Sequence, residues 1–137
     1  GWLGGRENPK QAGAAALKIR IAARDMGRSV PSDHFGASFG YRFGSKQESV
    51  YTDYVERLRE RFPNRDPEES LVAGDTDAML DRIREFADEG ITKFVMRPIG
   101  SDDDDIIDQT RKLADVLLPR LSELTETIPE LPEPEAA

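Results

Sequence analysis

His34-Phe-Gly-Ala-Ser-Phe-Gly-Tyr-Arg-Phe43 alternates without a break. Phe35, Ala37, Phe39, Tyr41 and Phe43 fall on one face, and His34, Gly36, Ser38, Gly40 and Arg42 on the other. A period of two is the signature of a strand. The aromatic face suits packing against helices better than stacking on a ligand. The two glycines on the other face imply close packing or restricted space, as on the inside of a tight barrel.

Upstream, Gly1-Trp-Leu-Gly-Gly5 reads as the end of a strand entering a glycine-rich turn. Asn8 then offers an N-cap with Pro9 at the first helical position. A helix is expected from Pro9 to Met26, with Ala16, Leu17, Ile19, Ile21, Ala22 and Ala23 on one broad face and Gly27 as its stop. Downstream, Gln47 to Phe62 reads as a helix with Val50, Tyr54, Val55, Leu58 and Phe62 on one side, ended by Asn64-Arg-Asp-Pro67. Leu71-Val-Ala73 is a short extended piece. Asp75 caps a helix from Thr76 to Glu89 whose inward residues are Met79, Leu80, Ile83, Phe86 and Ala87, and Gly90 closes it.

Ile91 to Ile99 is the second clear strand, apolar enough at its centre to predict a parallel strand buried on both faces. The last helix is expected from Asp105 to Leu124, with Ile106, Ile107, Thr110, Leu113, Ala114, Leu117, Leu118, Leu121 and Leu124 buried. Residues 125–137 read as a disordered, acidic, proline-rich tail. The alternation of strands and helices predicts an α/β fold with parallel strands. Two strands and a strand stub do not make a parallel sheet covered on both faces, and a complete (β/α)8 barrel needs about 250 residues. The expectation is therefore the C-terminal part of a TIM-type barrel, incomplete in this chain, spanning residues 1–124.

The 137 residues hold 27 Asp and Glu against 19 Lys and Arg, for a net charge of −8. That balance disfavours binding to nucleic acid. The absence of cysteine excludes disulfides and thiolate metal sites and fits a reducing cytoplasm. No run of roughly 18 apolar residues suggests a membrane span, and the chain opens without a signal-peptide pattern. No phosphate-binding glycine loop, nucleophile elbow or zinc-helix motif occurs.

Three segments together resemble the luciferase-like oxidoreductase family, whose members use flavin or the deazaflavin coenzyme F-420. Gly1-Trp2-Leu3 is similar to the end of the family's sixth barrel strand. Val72-Ala73-Gly74-Asp75-Thr76, leading to Phe86-Ala87-Asp88-Glu89-Gly90, is similar to its seventh helix, with Asp75 and Thr76 replacing the common Thr-Pro pair. Phe94-Val95-Met96-Arg97-Pro98, with Gln109-Thr110-Arg111-Lys112-Leu113-Ala114 and Val116-Leu117-Leu118-Pro119, resembles the last strand and helix. The resemblance implies a reduced deazaflavin (F-420) or FMN cofactor, held mainly by earlier strands, and a small organic substrate. It also implies that residues 44–73 form a lid-like insertion over that substrate. A second reading is a non-catalytic, truncated remnant serving as an interaction module, completing its sheet as a homodimer through exposed edges.

Active sites of such barrels lie at the C-terminal ends of the strands. The candidates there are Arg97, Arg42, Tyr41 and Ser45. Arg97 is the first choice, because a guanidinium at the barrel mouth can hold a phosphate or carboxylate through two parallel bonds. The bland alternative pairs Arg97 with Asp102 or Asp103. Arg42 is favoured over Tyr41, since only one of the two can face the site and a one-residue slip exchanges them. No catalytic acid or base stands out. His34 lies at the N-terminal end of its strand and reads as structural. The Asp102 to Asp105 run reads as helix capping rather than as a metal site, because the calcium-loop spacing is missing.

Overall fold

The computed structural model describes residues 1–125. Strand β1 (Trp2–Gly4) leads to helix α1 (Pro9–Asp25), then β2 (Phe35–Phe43), α2 (Ser49–Arg61), β3 (Leu71–Gly74), α3 (Thr76–Asp88), β4 (Lys93–Pro98) and α4 (Asp103–Lys112). Short 3-10 turns cover Ser32–His34 and Pro67–Ser70. The fold is α/β with an open sheet, and every pairing among the described strands is parallel.

The long central strand β2 organises the sheet. Gly36 pairs with Leu3 of β1 on one edge and with Lys93 of β4 on the other. Gly40 pairs in the same way with Leu71 of β3 and Arg97 of β4. So β1 and β3 share one edge of β2, end to end, and β4 occupies the other edge. Residues paired directly across neighbouring strands lie on one face. One face therefore carries Trp2, Phe35, Ala37, Phe39, Tyr41, Val72, Phe94 and Met96. The other carries Leu3, Gly36, Ser38, Gly40, Arg42, Leu71, Ala73, Lys93, Val95 and Arg97.

Local chemistry explains the helices. Asn8 caps α1 by accepting from Gln11 N, and the Gln11 side chain returns a bond to Asn8 N, a reciprocal capping box. Asp75 caps α3 through Ala78 N, and Asp102 caps α4 through Asp105 N. Gly27 and Gly90 follow α1 and α3 with φ of +68° and +86°, where a side chain would be strained.

The aromatic face is the core. Helices α1 and α3 pack on it, burying Ala12, Ala16, Met79, Leu80, Ile83 and Phe86 against Phe35, Phe39 and Tyr41. Phe39 and Phe86 stack with centroids 5.6 Å apart, and Phe94 meets both edge-on at 6.2 Å. All five residues expected to point inward from α3 are buried.

The glycine face is covered over half its length. Helix α2 folds back over its C-terminal end and buries Tyr51 and Val55 against Leu71, Ala73 and Ile99. Tyr51, which the sequence pattern did not place on the buried side of α2, is as buried as Leu71 and Ile99 in that layer. At the N-terminal end the face is open. Leu3 is 58% exposed and Val95 47% exposed, while Gly36 and Ser38 lie in the trough between them. The expectation that β4 is buried on both faces is therefore corrected. Its residues alternate between exposed and half-buried, because among the described residues no layer covers Lys93 and Val95 at this end.

The last helix also departs from expectation. Ile106, Ile107 and Leu118 are exposed, and the buried positions are Gln109, Leu117 and Leu124. The face is set by Gln109, whose side chain donates to Phe43 O (3.1 Å) and accepts from Phe43 N (2.7 Å) at the end of β2. The helix is also not continuous to Leu124. It widens into a π turn at Leu113–Leu117, tightens to a 3-10 turn at Leu118–Arg120 and resumes as α5 (Ser122–Thr125). Pro119 supplies the reason: it has no N–H to donate and its ring collides with the preceding turn. Of the expected tail only Thr125 is described, and it ends α5; the rest lies outside the described residues. No helix among the described residues is long and apolar enough to cross a membrane.

Candidate functional site

The four sequence-derived candidates do not converge. Tyr41 is fully buried on the helix-packed face, where its hydroxyl donates to Gln109 O at 3.2 Å. Burial pushes its pKa up, against a smaller opposing effect of Thr110. It cannot also line a site on the glycine face, so it is withdrawn as a ligand contact.

Arg42 lies on the glycine face, as favoured, but its donors are engaged. Its Nε donates to Glu48 at the start of α2, and Nη1 donates to Ile99 O and Asp105 Oδ2, each at 2.9 Å. Burial works against the charge, yet the bonds to Glu48 and Asp105 outweigh it and hold the guanidinium above its ordinary range. Arg42 thus ties β2 to the starts of α2 and α4. Asp105 in turn accepts from Ser101 N and Arg42, which hold its carboxyl below the ordinary value against a smaller burial effect. Of the four aspartates, Asp102 is accordingly spent on capping and Asp105 on this network, while Asp103 and Asp104 are exposed in the first turn of α4. Ser45 sits exposed in a tight turn with Gln47, whose N–H it accepts at 3.1 Å. His34 is half-exposed, beside Asp33 at 3.8 Å.

Arg97 behaves differently. Among the described residues it forms no ion pair with Asp102, Asp103 or any other carboxylate. It lines a cavity of about 190 Å³ together with Arg6, Arg61 and Arg65, the aromatic residues Tyr54 and Phe62, and Asp66 and Leu71. The row Leu71–Gly40–Arg97 crosses the glycine face beside it, and the missing side chain at Gly40 keeps that row low.

Four different segments deliver the guanidiniums. Arg6 stands in the turn after β1, where Glu7 Oε2 accepts from Gly5 N (2.8 Å) and Arg6 N (3.0 Å). Partial burial disfavours the Glu7 charge, but these backbone donors and the nearby Arg65 prevail and lower its pKa. Arg61 ends α2, Arg65 lies in the turn that follows, and Arg97 comes from β4. Asn8 Nδ2 donates to Glu69 Oε1 at 3.2 Å and joins the β1 turn to the Pro67–Ser70 turn. The Arg6 guanidinium lies 3.4 Å above the Phe62 ring centroid, and that of Arg61 is 5.3 Å from it. Burial, and then the like charges of Arg61, Arg97 and Arg65, lower the Arg6 pKa.

Position at a strand end singled out Arg97 in the sequence. The same rule applied to the turn after β1 would have found Arg6. Arg61 and Arg65 carried no signal, because their approach depends on α2 folding back over the sheet. No family profile, curated protein or solved structure matches the chain.

Proposed function

We propose that this α/β unit is the C-terminal part of a (β/α)8 barrel, and that the completed protein is a luciferase-like oxidoreductase acting on a small organic substrate. One observation carries the reading: the N-terminal half of the glycine face, with Leu3 and Val95 more than two-fifths exposed, is shaped for a further layer. Three features support it. Strands β1, β2 and β4 are adjacent in space in the order in which they occur in the chain. Helices α1 and α3 cover the aromatic face, as on the outside of a barrel. Among the described residues the outer edges of β1 and β4 carry no partner strand.

The cofactor of this reading is reduced deazaflavin (F-420) or FMN, which would supply the hydride or activate oxygen. Arg97, Arg6, Arg61 and Arg65 fit an anionic group, and no residue here is assigned to the reacting ring. Helix α2, in the middle of residues 44–73, is placed over the C-terminal end of the glycine face, as a lid would be. The test is to express the chain joined to the residues encoded immediately upstream of Gly1 and titrate it with F-420 and with FMN, following fluorescence. Saturable binding of one of them is expected. Binding of neither removes the oxidoreductase reading.

The open face and edges also favour association between copies, as for a non-catalytic remnant acting as an interaction module. Sedimentation of the chain alone separates the readings. A stable folded dimer that binds no cofactor favours the remnant.

A further inference from the structure

We infer that the four-arginine cavity is a binding site for a phosphate monoester group. This inference narrows the anionic group named above for the same arginines, but its test with phenyl phosphate does not require the oxidoreductase reading to hold.

The argument begins with charge. In a chain with eight more acids than bases, several arginines pair with carboxylates, while exposed Arg28, Arg57 and Arg111 lie apart from one another without such a pair among the described residues. Arg59, Arg84 and Arg120 pair with Glu56, Asp81 and Asp77, and Arg42 with both Glu48 and Asp105. Arg6, Arg61, Arg65 and Arg97 do not pair within 4 Å with any carboxylate among the described residues, although they come from four separate segments and meet at one cavity. Asp66 is the one acid in its wall, and its carboxylate accepts from Glu68 N at 3.0 Å, capping the turn that follows.

Holding like charges together is unfavourable unless something compensates, and a dianion supplies the compensation. Guanidiniums present paired N–H donors that match a phosphate better than ammonium groups do. Phe62 holds the Arg6 plane from one side, so part of the site is in place before a ligand arrives. The cavity, about 190 Å³, has the volume of about six waters at roughly 30 Å³ each. That accommodates a phosphate and the first atoms of what bears it, and it is smaller than the roughly 300 Å³ at which pockets for whole drug-sized ligands begin. The bearer therefore extends outward, along the open glycine face.

The group can belong to a substrate or to a phosphorylated cofactor, and the experiment separates these sources. Isothermal titration of the full chain at constant ionic strength uses inorganic phosphate, phenyl phosphate, FMN and riboflavin. Phenyl phosphate is expected to bind, and phosphate more weakly. Arg61→Gln and Arg97→Gln are each expected to weaken phenyl phosphate about ten- to a hundredfold, the loss of one charge-assisted contact. Arg84→Gln, on the outside of α3, changes nothing. Both pocket arginines are exposed, and circular dichroism checks that their variants fold. Binding of FMN without riboflavin assigns the phosphate to a cofactor; binding of phenyl phosphate without FMN assigns it to a substrate. The inference is overturned if no phosphate compound binds, or if Arg84→Gln weakens binding as much as the pocket variants.

Discussion

Replacing Gln109 with leucine isolates the contact that orients the last helix. Gln109 is 1% exposed and spends both ends of its amide on the backbone of Phe43, at 2.7 and 3.1 Å. Leucine has similar volume, so little cavity forms and the loss is one of hydrogen bonding. Each unpartnered backbone group costs about 1–3 kcal/mol when buried. Phe43 is half-buried, which places both groups near the lower end, for a sum of about 2–3 kcal/mol. The added apolar burial offsets about 1 kcal/mol. The expected net loss is therefore about 1–2 kcal/mol, a drop of roughly 0.5–1.5 M in the urea midpoint at unchanged slope. Ile107→Ala, at a position 47% exposed, should stay within about 0.5 kcal/mol. Circular dichroism in urea gives both numbers. A Gln109→Leu variant as stable as the parent, or an Ile107→Ala variant as costly as Gln109→Leu, refutes the orientation given to α4.

Phe86 closes the aromatic layer against Phe39 and Phe94, so Phe86→Ala should lower stability by about 3–5 kcal/mol in the same urea assay; a loss under about 1 kcal/mol would contradict the packing. The depressed Asp105 carboxyl gives stability a pH dependence of known sign. Its contribution is complete above the ordinary value of 3.8 and is lost as pH falls through the lower folded value. Arg42→Met should shrink that acid-side loss, and acid titrations of both proteins that superimpose would exclude the Arg42–Asp105 link.

What was legible in the sequence follows the range of the forces involved. Helix α3 could be read residue by residue, because its 3.6-residue period and the Asp75 cap are local. The alternation in β2 likewise placed Arg42 on the glycine face and Tyr41 on the other. Burial of Gln109 was invisible, since it depends on a backbone 66 residues away. The two isoleucines beside it looked buried for the same reason. Helix α2 was legible as a helix, but its fold-back, which brings Arg61 and Arg65 to Arg97, was not. An apolar run such as Phe94 to Met96 shows that a strand can be buried, and Val95, 47% exposed, shows that among the described residues nothing buries it.

The central claim is that the open half of the glycine face is built to meet further strands. The chain has no cysteine, so Val95→Cys creates a single reporter thiol on that face. Its labelling rate should be measured in the chain alone and in the chain joined to its upstream residues. The account predicts fast labelling in the first and strong protection in the second; equal, fast labelling in both would contradict it.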